Sequence, residues 1–197
     1  MRKIYLIRHG EPRLPEGDRI CLSRTDLPLS AEGHRQAEQL AAYFADMKLG
    51  GVYSSDLLRA KETALHISAQ ATALPDLQEL GVGDWEGLTF REIRERYPAL
   101  YARRGEDPTV HIMPGGERPA DCRDRALTAL RDLLQKTEGD IAVVAHAGVN
   151  RLILCELLGY DLKAFLSIPQ PYGCINILQE HEGCITVLAV GDRPACL

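Results

Sequence analysis

The 197-residue sequence lacks the marks of several protein classes. Its cysteines, Cys21, Cys122, Cys155, Cys174, Cys184 and Cys196, are scattered and form no C-x-x-C pair. A disulfide framework belongs to small secreted domains, so reduced thiols and a cytoplasmic location are expected. No apolar run is long enough for a signal peptide or a membrane span, and Met1-Arg2-Lys3-Ile4 leads straight into a strand-like segment. A basic excess is missing too: 23 Lys and Arg against 28 Asp and Glu give a net charge of −5. General binders of nucleic acid or membrane surfaces carry the opposite balance, which excludes both as expected partners. His9 and His146 with Glu11 or Glu79 would make a metal-ligand set, but no H-x-H, H-E-x-x-H or D-x-D pattern is present. No metal is therefore expected. Repeats and low-complexity stretches are also absent.

What the sequence does have is two apolar runs closed by histidine: Ile4-Tyr5-Leu6-Ile7-Arg8-His9-Gly10 and Ile141-Ala142-Val143-Val144-Ala145-His146-Ala147-Gly148. Each reads as a buried parallel strand followed by a turn. In an open parallel sheet, ligands bind in the crevice outside the carboxyl ends of the strands. If both runs share one sheet, both imidazoles reach that crevice with Arg8 beside the first.

Strand and helix signals alternate around these runs. A loop rich in Pro, Gly and charge spans Glu11 to Leu29. Ser30 is a plausible N-cap for a helix with a buried stripe of Ala37, Leu40, Ala41 and Phe44, ended by Gly50-Gly51. Val52-Tyr53-Ser54 reads as a short strand, with Ser55 or Asp56 capping a helix through Ala60, Ala64 and Ile67. Leu74 to Leu80 reads as another extended piece. A less regular, cap-like segment follows at about 81–116, then a helix from Glu117 to Lys136, the strand ending at His146, and a helix terminated at Gly159. Two β-like runs, Cys174 to Leu178 and Ile185 to Val190, close the chain through His181-Glu182-Gly183. The alternation predicts one domain over 1–197, a three-layer α/β/α sandwich with a mostly parallel sheet.

The chemistry follows from residue type and address. A neutral imidazole is a competent phosphorus nucleophile when one ring nitrogen is tied and the other faces the substrate, and the turn at Gly10 offers a carbonyl to tie His9. A strand-end histidine making one structural bond is the competing reading. Arg8 and Arg59 supply forks for bidentate bonds to phosphate oxygens, the ordinary alternative being a solvated arginine. His146 precedes a helix start, where free N–H groups favour an anion; beside bound phosphate it should be protonated. Glu79 could protonate a leaving oxygen and later deprotonate water, with Asp84 and Glu86 as rivals. Cys155, in an apolar helix, reads as core packing.

These residues resemble a known family. Leu6-Ile7-Arg8-His9-Gly10-Glu11 is similar to the signature of the histidine phosphatase superfamily, also called phosphoglycerate mutase-like. The resemblance continues in Thr25 to Gly33, Ser54 to Ala64, Leu80 to Gly87 with its W-E-G, Gly115-Gly116-Glu117 and Val144 to Val149. It implies His9 as a nucleophile that becomes phosphohistidine, and Arg8, Arg59 and His146 as the rest of the phosphate pocket. Glu79 is implied as proton donor, and no metal or organic cofactor is required. Ala147 and Ser23 join the expected phosphate contacts. Many family members have an asparagine six residues after the nucleophile; here Pro15 stands there. Arg13, a backbone amide near Leu22 or Ser23, or water must replace that donor.

The resemblance implies a phosphomonoesterase acting on a small-molecule phosphate ester. Its loop Cys21 to Ser30 looks closest to the alpha-ribazole phosphatases of cobalamin assembly, making alpha-ribazole 5'-phosphate a candidate substrate. The alternatives are a phosphoglycerate mutase and a non-catalytic phosphate-binding module. Mutases resemble a longer version with more basic residues in the cap, whereas here Arg103-Arg104 is the only basic pair in that segment. A homodimer is left open.

Overall fold

The computed structural model describes residues 1–17 and 20–194, so Cys196 lies outside the described residues. The strands are β1 (Arg2–Arg8), β2 (Leu49–Ser55), β3 (Thr72–Leu74), β4 (Asp140–Ala145), β5 (Ile175–His181) and β6 (Cys184–Asp192). They form one sheet in the order β3-β2-β4-β1-β5-β6. The β3, β2, β4 and β1 strands run parallel, while β5 pairs antiparallel with β1 and β6 antiparallel with β5. The helices are α1 (Ala31–Phe44), α2 (Leu58–Ile67), α3 (Phe90–Arg96), α4 (Pro98–Glu106), α5 (Pro119–Lys136) and α6 (Ala147–Leu157).

Period-two alternation in the central strands builds the layers. Ile4, Leu6, Ile141 and Val143 face α5 and α6, packing with Leu130, Leu152 and Ile153. Their neighbours Tyr5, Ile7, Ala142 and Val144 face the other way, onto Leu40 and Phe44 of α1 and Ala60 and Ala64 of α2. A strand buried on both faces must be apolar at every position, which explains the unbroken runs that end in histidine. Each fully buried Leu or Ile contributes about 1.5–3 kcal/mol. The result is the expected α/β/α sandwich.

Register then brings the two histidines together. Arg8 pairs with Ala145 across the β1–β4 ladder, so His9 and His146 are the next residue on each strand. The His9 amide donates to the Ala145 carbonyl at 3.0 Å, closing the ladder at that point.

Several local expectations change. Ser30 does cap α1, its hydroxyl accepting from the Gly33 amide at 3.0 Å. However, α1 ends at Phe44, and Gly50-Gly51 lie inside β2 instead of terminating a helix. A Cβ on Gly50 would sit 1.8 Å from the Glu138 carbonyl, so this strand needs glycine for close approach. Helix α2 is capped by neither Ser55 nor Asp56: the Leu58 amide donates to Asp26, a residue brought in by the fold. The extended piece expected over Leu74–Leu80 is mostly displaced, since β3 stops at Leu74 and Pro75–Leu77 form a 3₁₀ turn. Within 81–116, α3 starts on a full capping box between Thr89 and Glu92, and Trp85, Ile93 and Met113 make a small separate core. The tail hairpin turns at Glu182 and Gly183, both with positive φ. Among the described residues, no helix is long and apolar enough to cross a membrane.

Candidate active site

A cavity of about 490 Å³ opens at the carboxyl ends of β1 and β4, and Arg8, His9, Arg59, Glu79 and Ala147 all line it. His9 sits at its base, 4% exposed. Its Nδ1 lies 2.6 Å from the Gly10 carbonyl, a pairing that requires the proton on Nδ1 and leaves Nε2 as the basic nitrogen. Arg59 Nε donates to that Nε2 at 3.2 Å. Burial first, then the positive charges of Arg59 and Arg8, hold the His9 imidazole well below its ordinary value, hence neutral. Tied on one side and unprotonated on the other, it meets the requirement for a nucleophile.

Arg59 is 2% exposed although it belongs to a helix. Its Nη1 donates to the Thr25 carbonyl at 2.9 Å and its Nη2 to the Ser23 carbonyl. Burial draws its guanidinium down, and the Glu79, Asp26 and Glu86 carboxylates oppose that shift. Arg8 also lines the cavity, its Cζ 3.7 Å from the centroid of the Tyr172 ring. His146 is fully buried edge-on against His9, with ring centroids 4.9 Å apart, and touches the cavity through His9 rather than lining it. Both of its ring nitrogens lack a partner among the described residues. Burial, then His9, Arg59 and Arg8, keep this imidazole neutral. Protonation as expected beside phosphate therefore needs the anion itself to be present. Ala147 opens α6, where the first amides have no intrahelical acceptor.

Glu79 is held at that same helix end. Its Oε1 accepts from the Leu80 amide at 2.8 Å and the Val149 amide at 3.0 Å, and its Oε2 from the Gly148 amide at 3.0 Å. The rivals separate cleanly. Asp84 is exposed and outside the cavity wall. Glu86 is also outside it, and accepts from Ser23, Arg24 and Thr25, ordering the loop that holds Arg59. Burial opposes its ionisation, but the bonds from Ser23 and Thr25 prevail and hold the carboxyl below its ordinary value.

Ser23 needs correction as a phosphate contact. Its hydroxyl donates to the Leu80 carbonyl at 2.6 Å, its amide is taken by Glu86, and it does not line the cavity. It supports Arg59 instead. Near Pro15, Arg13 and Pro15 are exposed and outside the wall, whereas Leu22 lies within it. Of the residues that could replace the usual asparagine, Leu22 lines the cavity and Arg13 and Ser23 do not.

The rest of the wall is largely apolar, with Leu22, Val82, Trp85, Phe90, Tyr101 and Phe165. Arg104 joins it from α4, its Cζ 5.8 Å from the Trp85 ring centroid, and Arg151 from α6. Among the described residues, four arginines thus face one lining carboxylate, a positive pocket in an acidic protein. Tyr172 and Gln170 escaped the sequence reading because the tail pattern signals only a strand. Among the described residues, no three His, Cys, Asp or Glu side chains gather as a metal site.

The comparisons agree with this geometry. The model of the histidine phosphatase superfamily (branch 1) matches residues 4–193. Phosphoserine phosphatase 1 of Hydrogenobacter thermophilus is 34% identical over 183 residues, covering 89% of this chain and 83% of that protein. Among solved structures, YhfR of Bacillus stearothermophilus superposes with a TM-score of 0.90 at 28% identity, covering 98% of both chains. The alpha-ribazole phosphatase of Shigella flexneri superposes at 0.85 with 25% identity, over 97% of this chain and 96% of that one. With nearly its whole length matched and its paired histidines at one sheet edge, this chain belongs to the histidine phosphatase superfamily (branch 1).

Proposed function

We propose that this phosphatase hydrolyses a small-molecule phosphomonoester through a phosphohistidine on His9, without a metal. The observation that carries the reading is the His9 ring: Nδ1 tied to the Gly10 carbonyl and neutral Nε2 at the base of an arginine-lined cavity. In the first step Nε2 attacks phosphorus and the bond to the leaving oxygen breaks, with Glu79 giving that oxygen a proton. Arg8, Arg59, the Ala147 amide and His146, which takes the proton of the monoester monoanion as it binds, hold the phosphoryl oxygens as charge develops. Water then attacks the phosphohistidine, Glu79 takes its proton, and His9 leaves as the free imidazole with release of phosphate.

Alpha-ribazole 5'-phosphate is the proposed substrate. Its support is the apolar and aromatic wall of Leu22, Trp85, Phe90 and Tyr101, suited to a bulky apolar leaving group, together with the neighbour of that name. Phosphoserine is the second reading, favoured by Arg104 and Arg151 in the wall and by the phosphoserine phosphatase relative. Hydrolysis is preferred over mutase activity because Pro15 removes one donor from the loop over the phosphate.

The test is phosphate release from a phosphomonoester panel, with and without EDTA, plus alkaline-quench trapping of radiolabelled enzyme, because the N–P bond of phosphohistidine is stable to base and cleaved by acid. Expected are chelator-resistant turnover and label on His9, with alpha-ribazole 5'-phosphate preferred over phosphoserine. Activity lost in EDTA and restored by a divalent ion would overturn the metal-free mechanism. Phosphoglycerate interconversion faster than hydrolysis would overturn the reaction type.

A further inference from the structure

Asn150, Gln170 and Asn176 lie behind the site at 0%, 3% and 0% exposure. Buried amides are costly unless paired. Here Asn150 Nδ2 donates to Gln170 Oε1 at 3.2 Å and Asn176 Nδ2 to the same oxygen at 3.0 Å. Gln170 Nε2 donates to Asn176 Oδ1 at 2.6 Å. Further bonds anchor the cluster: Asn176 Nδ2 donates to the Leu6 carbonyl at 2.8 Å, Gln170 Nε2 to the Pro169 carbonyl at 2.8 Å, and the Gly191 amide to Asn176 Oδ1 at 2.9 Å. The cluster therefore ties α6, β1 and β6 to the segment that precedes β5.

That segment meets the cavity through Arg8. Arg8 Nη1 donates to the Gln170 carbonyl at 2.5 Å, and the Tyr172 ring stacks against the guanidinium. The Arg8 amide donates to the Cys174 carbonyl at 3.0 Å. Arg8 Nε is buried with no partner among the described residues, which leaves a donor for an anion. Replacing hydrogen-bonded pairs by apolar groups of matching shape can be neutral or stabilising, so stability alone does not call for three amides here. Hydrogen bonds are directional, however, and an apolar cluster could not fix the azimuth of one carbonyl.

We propose that the Asn150–Gln170–Asn176 cluster is a positioning device that fixes the Gln170 carbonyl and the Tyr172 ring, and through them aims Arg8 at the phosphoryl group. This rests on the reading of Arg8 as a phosphate ligand. None of the three amides touches substrate. Their effect is on the phosphate affinity that Arg8 supplies, because a displacement of about 1 Å at a positioning contact can cost as much as 10²-fold.

The test compares full-length wild type with Gln170→Met, Tyr172→Leu and Tyr172→Phe. It measures melting temperature, kcat and KM on p-nitrophenyl phosphate, and the inhibition constant of orthovanadate. Gln170→Met and Tyr172→Leu should each raise KM and the vanadate constant about tenfold, the scale of one weakened charge-assisted bond, with a smaller change in kcat. Tyr172→Phe, which keeps the ring over Arg8, should recover most of the loss. A cluster that merely holds the fold would lower the melting temperature and leave the vanadate constant unmoved, which overturns the proposal. If Gln170→Met does not fold, the Tyr172 pair decides: a vanadate constant equal in Tyr172→Leu and wild type overturns it. Wild type that neither turns over nor binds vanadate would overturn the phosphatase reading and this proposal with it. Vanadate binding by wild type with unmoved variants sinks the positioning role alone.

Discussion

Glu79→Gln separates proton transfer from phosphate binding. The carboxylate accepts three backbone N–H groups, two on Oε1 and one on Oε2. A glutamine can keep the Leu80 and Val149 bonds on its single oxygen, but its NH₂ then faces the Gly148 amide. One unsatisfied donor costs about 1–3 kcal/mol, and each kcal/mol lowers the melting temperature of a chain this long by about 2–4 °C. The variant should therefore fold and melt somewhat earlier. Its rate on an alkyl phosphate should fall by about 10² to 10⁴, the worth of a positioned general acid, or about 2.7–5.4 kcal/mol in barrier. With p-nitrophenyl phosphate the leaving phenolate needs no proton, so phosphorylation of His9 should be far less affected. If Glu79 also activates water, dephosphorylation becomes slow and a pre-steady-state burst of p-nitrophenol appears. Stopped-flow absorbance on p-nitrophenyl phosphate and steady-state phosphate release on an alkyl ester measure both. Equal losses on the two substrates with no burst would refute Glu79 as the acid.

His9→Ala should abolish turnover while vanadate still binds, since Arg8, Arg59 and His146 are untouched; full activity in that variant would remove the phosphohistidine route. A Cβ on Gly148 would lie 2.5 Å from Glu79 Oε1, so Gly148→Ala should push the carboxylate aside and reproduce the leaving-group dependence of Glu79→Gln, read by the same ratio of rates. The Glu86 carboxyl titrates below its ordinary value of 4.5 in the folded protein, so its contribution to stability is present above that pH and lost as the pH falls through the lowered value. Glu86→Gln should flatten this part of the acid-unfolding profile and slow turnover at neutral pH, because the Ser23 and Thr25 carbonyls that hold Arg59 lose their order; an unchanged profile would count against it.

Local patterns in the chain carried much of the architecture. The unbroken apolar runs at Ile4 and Ile141 could only be strands buried on both faces, and Ser30 marked a helix start through its own side chain. The Thr89–Glu92 capping box was readable in the same way, although the irregular composition around it hid α3. Short-range signals failed where long-range contacts decide. The Gly50-Gly51 pair looks like a break, yet the close approach of Glu138 makes it part of β2. No local rule could supply Asp26 as the cap of α2.

The sequence by itself determined that two histidines end two buried strands, because hydrophobic period and strand ends are properties of consecutive residues. It also determined the chemistry on offer, since imidazole and guanidinium bring their reactivity and charge wherever they sit. Only the tertiary structure decided which side chains meet. Glu79, Asp84 and Glu86 are equivalent as residues in a loop, and became different when α6 presented its amides to the first and the Arg59 loop presented its own to the last. The Arg59 contact to His9 Nε2, the support role of Ser23 and the link from Gln170 to Arg8 are likewise contacts between segments far apart in the chain. Such contacts exist only once the sheet register sets β1 beside β4 and β5 and the layers close around it.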